Sequence, residues 1–409
     1  MKPPHPAHRP SFVLTLGMLI GVAALTVDLS LPAIPFMVKA LATTLPRGQQ
    51  IVGVFIAGMA CGQIPAGLIS DRIGRLPMLY AGMALFTVAA AVAALASDIN
   101  VVLAARFAQG CGAAAPIVLS RAIVRDVARG REAARLMSLL TMIFTAAPVI
   151  APTIGALLVS QWGWRSPFIV ITLLGLVIIL STQRNLHETH TPDVDVHPVR
   201  QLRQSFAEFF SHRQSIFGLL LIVLPPAGYM SIITVSAALA VEIYGFTVTA
   251  YGLIFATAGM SILAGAFLNR LLVARFESLQ LIGLGAALMG IAAAQLLLIA
   301  WLNAAPFAWL WSCVCLFMVT VPLTAANATV IALDPLPRIA GVASSIIGTT
   351  QNVLGAGGAL LGAAIYDGTP RKTILIIAMT GLLTAAVFLL RPLIVPAGLV
   401  RHPDELARD

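Results

Sequence analysis

This 409-residue chain is short of charge: only 10% of its residues are Asp, Glu, Lys or Arg, against roughly 25% in soluble proteins. That shortage excludes a soluble chain of two or three domains, the organisation its length alone would suggest. Histidine is missing from every long apolar run, since His5, His8, His187, His190, His197, His212 and His402 all lie outside them; an intramembrane histidine relay is thereby excluded. Cysteine is scarce. Cys61, Cys111, Cys313 and Cys315 fall inside apolar runs, where such residues act as small buried side chains, and Cys313 and Cys315 would point to different helix faces. No disulfide and no metal site is expected. There is no nucleophile elbow, phosphate loop or histidine/carboxylate cluster, so neither an integral membrane enzyme nor direct drive by ATP finds support.

What remains is apolar. The chain is 59% hydrophobic with a mean hydropathy of +0.95, the composition of a polytopic membrane protein. A span needs ~20 apolar residues, and twelve runs qualify: 12–37, 49–70, 76–96, 100–124, 136–160, 165–182, 215–241, 249–271, 278–301, 306–330, 338–364 and 372–392. The expected fold is all-α, two six-helix bundles covering 1–182 and 215–409 around a central cavity, joined by a polar linker over 183–214. Two such halves suit a rocking-bundle transporter. Within the linker, Val199 to Phe210 could form an amphipathic helix on the membrane surface. The basic, proline-rich start (Met1 to Pro10) enters the first span without a small-residue cleavage site, which reads as a signal anchor.

The net charge of +9 reads as topology, with no nucleic-acid partner, because the basic residues sit in short loops. With both termini inside, nineteen Lys and Arg fall on the cytoplasmic face, Arg72, Arg75, Arg121, Arg125, Arg270 and Arg338 among them. The outer face carries five: Lys39, Arg47, Arg165, Arg371 and Lys372. Cytoplasmic loops retain positive charge, so both termini are expected in the cytoplasm.

Two ionisable residues break the apolar runs. Asp28 lies in the first span, where a charge costs at least ~2.5–3.5 kcal/mol and usually marks an ion or proton pathway. Arg106, in the fourth span, is its natural partner. At 1.5 Å per residue, Asp28 is ~24 Å along its helix from Phe12 and Arg106 ~28 Å from Arg125, so both are expected at similar depth in the outer half of the membrane. A carboxylate pulled one way by desolvation and the other by a cation can respond to a conformational change. The alternative for Arg106 is an interfacial arginine that snorkels to the membrane surface.

Local patterns add to this. Gly67-Leu-Ile-Ser-Asp71-Arg72-Ile-Gly74-Arg75-Leu-Pro77 suits a tight inner turn and, from the residues alone, a solvated turn obeying the positive-inside rule. Its spacing resembles motif A of the major facilitator superfamily, with Leu76 where that family has a basic residue. The resemblance implies a cytoplasmic gate built on Gly67, Asp71, Arg72, Gly74 and Arg75. Arg106-Phe-Ala-Gln109-Gly110 is similar to the family's motif B; Gln109 is one turn from Arg106 and could orient it, while Gly110 and Gly112 also suit plain helix packing. Pro148, Pro152 and Gly155 resemble the antiporter motif C, with alanine for three of its four glycines, and the prolines predict a kink or hinge.

A finer resemblance, spanning essentially the whole chain, is to the Bcr/CflA-type drug exporters. It rests on Asp28-Leu-Ser-Leu-Pro32-Ala-Ile-Pro35 (with Ser30 where that group usually has tyrosine), on Gly163-Trp164-Arg165, and on stretches around Tyr251, Gly341 and Gln351. It implies a drug:proton antiporter of the inner membrane, acting as a monomer on small amphipathic molecules, with the proton as coupling ion and no other cofactor. Gln109, Asn327, Gln351 and Asn352 are cavity candidates, although helix–helix hydrogen bonding is the default role of such groups. A metabolite exporter or proton symporter of the same fold is the competing reading; few polar groups at depth favour an apolar or cationic ligand.

Overall fold

A bilayer leaves no water to satisfy a backbone amide, so an apolar chain crosses it as helix. The computed structural model describes residues 10–128, 130–190, 198–302 and 306–394. Met1 to Arg9, where the signal anchor is expected to begin, the linker stretch 191–197, Arg129, Arg401, Arg408 and His402 lie outside them. Among the described residues there is helix and no strand.

In chain order the helices are α1 (Pro10–Ser30), α2 (Ile34–Ala40), α3 (Leu45–Ile73), α4 (Arg75–Leu95), α5 (Ile99–Val127), α6 (Gly130–Trp162), α7 (Ser166–Asn185) and α8 (Pro198–Ser211). They continue as α9 (Arg213–Ala238), α10 (Val248–Leu272), α11 (Ser278–Leu302), α12 (Phe307–Leu333), α13 (Ala340–Ile365), α14 (Arg371–Leu389) and α15 (Arg391–Ile394). α1 and α2 form one apolar span interrupted by a 3₁₀ turn over Leu31–Ala33. Every span expected from the sequence is a helix, with ends shifted by a few residues. Among the described residues, eleven helices are apolar enough along their length to cross a membrane. α13 has the length, but Thr349, Thr350, Gln351, Asn352 and several glycines dilute its apolar run.

Packing divides the chain into two units. The first comprises 1–196 with 230–260 and 355–373; the second comprises 197–229, 261–354 and 374–409. Parts of α9, α10 and α13 thus pack with the first six spans.

In the first unit α5 packs extensively on α3 and α4, α1 on α6, and α4 on α7. Glycine makes these approaches possible. A side chain at Gly110 would strike the carbonyl of Phe55 on α3, and one at Gly112 would lie 2.6 Å from the Gly82 carbonyl on α4. Such close backbone contact replaces hydrophobic collapse as the association force in lipid. In the second unit Phe209 of α8 joins a buried cluster that includes Phe217, Leu221 and Leu336. The amphipathic linker helix is present, and its aromatic face packs on protein; Phe210 remains exposed.

Candidate functional site

Asp28 occupies the last turn of α1, just before Pro32 and Pro35 convert the helix to a 3₁₀ turn. It is buried, at 7% exposure, and Arg106 on α5 is wholly buried. The snorkelling alternative for Arg106 therefore fails: its guanidinium stays inside the unit. Nη1 donates to Gln109 Oε1 at 2.8 Å, Nε to the Ile51 carbonyl at 3.3 Å and Nη2 to Ser30 Oγ at 3.4 Å. Its central carbon lies 4.5 Å from the ring centroid of Phe55 and 5.9 Å from that of Phe168, cation–π contacts that strengthen when desolvated.

The expected Asp28–Arg106 ion pair is not formed. Among the described residues no ion pair includes Asp28. The reason is angular: residues two apart on a helix point to different sides, so a guanidinium that reaches Ser30 does not reach Asp28. In the same unit lies the fully buried Tyr251 of α10, whose hydroxyl shares a 2.9 Å hydrogen bond with Ser236. Equal depth was legible in the sequence; side-chain direction and Tyr251 were not. Ser30 was marked only as a departure from a tyrosine, and no spacing signal singled out Ile51, Phe55 or Phe168.

The motif A turn is built more densely than its sequence suggests. Gly74, at φ +101°, joins α3 to α4 in a single residue, a conformation that glycine adopts without strain. Arg75 pairs with Asp71 one turn back, donates through Nη1 to Ser70 Oγ at 2.8 Å and reaches Asp126 Oδ2 on α5 at 3.2 Å. Ser70 Oγ in turn donates to the Gly67 carbonyl at 2.7 Å. Arg72 is exposed. Glu188, beyond α7, accepts from the backbone amides of Arg75 and Leu76 at 2.9 and 3.0 Å and from those of Thr189 and His190 at 3.0 and 3.1 Å. Partial burial pushes its pKa up, but these four amides outweigh that and hold it below the usual carboxylate range. Glu188 was read only as one charge of a polar linker.

α6 carries Pro148 and Pro152 in its interior. Gly155 packs on α1, where an added methyl would lie 2.5 Å from the Leu29 carbonyl. Gly252 and Gly259 of α10 press on α6 at Pro152 and Pro148, and Thr153 Oγ1 donates to the Gly252 carbonyl at 3.2 Å. The motif C residues thus form a close-packed seam between α6 and both α1 and α10.

The cavity candidates separate. Gln109 is wholly buried and engaged with Arg106 through Oε1; its Nε2 finds no partner among the described residues. Asn327 donates to Asn269 Oδ1 at 2.7 Å and to the Leu323 carbonyl at 2.8 Å, so its amide ties α12 to α10. Gln351 and Asn352 are half-buried on α13. These last three belong to the second unit, whereas Gln109 and Arg106 belong to the first.

A buried carboxyl and a buried arginine in an otherwise apolar helical bundle, with a charged turn at one end, define a multi-pass membrane transport protein. The chain belongs to the Major Facilitator Superfamily, whose family model matches residues 16–359. A bicyclomycin resistance protein homolog of Haemophilus influenzae is 28% identical over 350 residues, covering 84% of this chain and 87% of that protein. Multidrug resistance protein D of Escherichia coli is 27% identical over 348 residues (84% and 86%), and multidrug resistance protein MdtL of the same species 32% over 254 residues (61% and 62%). The resemblance to the Bcr/CflA-type drug exporters agrees with these relatives. Among solved structures, the partially occluded inward-open xylose transporter XylE of E. coli matches with a TM-score of 0.71 at 14% identity, over 96% of this chain and 98% of that one. A D-xylose-proton symporter matches at 0.73 and 16%, over 92% and 97%. Identity at that level shows the fold alone.

Proposed function

We propose that this chain is a proton-driven antiporter that exports small amphipathic molecules across the inner membrane by alternating access. The observation that carries the reading is the buried Asp28 carboxyl on α1, two residues from a Ser30–Arg106–Gln109 hydrogen-bond cluster in an apolar bundle. A titratable group at depth usually marks an ion or proton pathway, and the relatives named for bicyclomycin and multidrug resistance support the direction and ligand class.

In the arrangement described, no cation among the described residues pairs with Asp28, which can hold a proton as the neutral acid. Rotation about the Pro32–Pro35 turn that brought it toward Arg106 would favour the carboxylate and release the proton. Arg106 stays in place through the cycle, held by Gln109, Ser30 and Ile51. No group other than the proton is needed to drive this exchange. The positive-inside pattern supports a cytoplasmic position for both termini and for the motif A turn. The proposed organisation is two pseudo-symmetric halves, 1–182 and 215–409, in a monomer.

Asp28→Asn should abolish uphill export in proteoliposomes and leave ligand binding measurable, because the amide keeps the shape and loses the titration. A drug-sensitive host expressing the chain should gain resistance to at least two chemically unrelated compounds and lose it when the proton gradient collapses. Uphill export by the Asp28→Asn variant would move the proton site elsewhere. Resistance confined to one metabolite analogue would favour the second reading, a dedicated metabolite exporter or proton symporter, to which the sugar transporters of the same fold belong.

A further inference from the structure

The first turn of a helix leaves backbone N–H groups without intrahelical partners, and α4 has no cap of its own: Gly74 at its N-cap offers no side chain, and no acidic residue stands in its first turn. The Glu188 carboxylate fills that role from 112 and 113 residues away along the chain, with Oε1 on the Arg75 amide and Oε2 on the Leu76 amide. The same short segment makes two further ties. Thr189 Oγ1 donates to Asp126 Oδ2 at 3.1 Å, the oxygen that also receives Arg75 Nε, and the His190 ring lies 3.2 Å from the Asp71 carbonyl. Leu186, buried at 2% exposure, anchors the segment from below, and a side chain at Gly74 would collide with Glu188 at 2.7 Å. Three consecutive residues therefore engage the Arg75 backbone or the two acidic residues that hold its guanidinium.

We propose that Glu188 is a positioning residue of the gate: with Thr189 and His190 it clasps the α3–α4 turn and holds Arg75 between Asp71 and Asp126, so that the start of the linker is fastened to the turn that must rearrange during transport. A negative charge at a helix N-terminus is favoured by the helix dipole, and a carboxylate accepting several backbone N–H groups forms stronger bonds than a neutral acceptor. The effect on turnover rests on the transport reading above; the clasp itself does not.

Two measurements separate these. In amide hydrogen exchange on the purified full-length protein, Glu188→Ala should raise exchange several-fold at Arg75 and Leu76 and leave the α6–α7 turn unchanged, whatever the chain transports; unchanged exchange at both amides overturns the clasp. In proteoliposomes, Glu188→Ala should lower the maximal export rate at least three-fold with an unaltered KM. In an Arg75→Ala background the same change should have no further effect, because Glu188 acts through Arg75. A plain stability role would instead give losses that multiply in the double variant, and that result, or an unchanged rate, overturns the positioning role. If the unaltered chain exports none of the chemically unrelated compounds tested for resistance, the export reading falls and the exchange result alone decides the clasp.

Discussion

At the scale of single residues the first unit is held by groups whose alternatives are costly at depth. Arg106 satisfies one side-chain amide, one hydroxyl and one carbonyl at once, a fork that a lysine ammonium does not reproduce. Arg106→Lys should therefore impair export as severely as Arg106→Ala, measured as uphill flux. Glycine positions sort by space. At Gly110 a methyl meets the Phe55 carbonyl and, at 2.9 Å, the Met59 amide, both backbone, whereas at Gly67 the nearest atom is Val118 Cγ1 at 3.8 Å. Gly110→Ala should lower the thermal midpoint in detergent by the equivalent of ~1–3 kcal/mol of overpacking, and Gly67→Ala should leave it unchanged or raised. Glu188 gives a pH dependence. Its pKa is depressed below 4.5 in the folded protein, so protonation favours the unfolded chain. The stability it contributes is fully present above about pH 4.5 and is lost as the pH falls through the folded-state value. The difference in thermal midpoint between the unaltered protein and Glu188→Gln should be constant from about pH 5.5 to 8 and shrink below about pH 4.

Among the elements, α6 and the α3–α4 turn are where motion is expected. Pro148 and Pro152 each remove a backbone donor from α6, and restoring one straightens and stiffens the helix. Pro152→Ala should keep folding yield and thermal midpoint while slowing turnover several-fold, as read by single-turnover proton release. Asp71→Asn should likewise leave the protein folded and inserted but slow its exchange between states, because Arg75 keeps Asp126 and Ser70 and loses only one of three partners. Normal turnover in that variant would reduce the turn to a topology signal. Helix existence and length were readable because twenty-residue apolar runs have one solution in a bilayer. The 3₁₀ turn at Leu31–Ala33 was not read, although Pro32 and Pro35 announce a break; the π-helical turn over Leu239–Ile243 had no comparable marker.

For the whole molecule, orientation is the first test. Single cysteines introduced at the exposed positions Arg184 and His187 should resist impermeant thiol reagents in intact cells and react after permeabilisation; labelling from outside would reverse the topology proposed above. The division into units carries a further consequence. Because 230–260 and 355–373 pack with the first unit, with Gly252 against Pro152 and Gly362 against Ser231, substitutions in these stretches should couple energetically to α6 more than to α11 or α12. Double-mutant cycles on thermal stability pairing Gly252→Ala with Pro152→Ala would show it.

The sequence by itself determined the class of this protein: shortage of charge, twelve apolar runs, the side on which arginine gathers, and the rarity of Asp28 and Arg106 within those runs. These are one-dimensional facts, and the bilayer, which admits little but helix, turns them directly into architecture. Tertiary structure alone decided the partners. Whether Arg106 meets Asp28 or Ser30 depends on a rotation of about 200° between residues two apart on a helix. Whether Asn327 lines a cavity or ties α12 to α10 depends on where Asn269, 58 residues away, arrives. That a glutamate beyond α7 caps α4 follows from neither composition nor spacing, because an orphan helix terminus is satisfied by whichever carboxylate the fold brings to it.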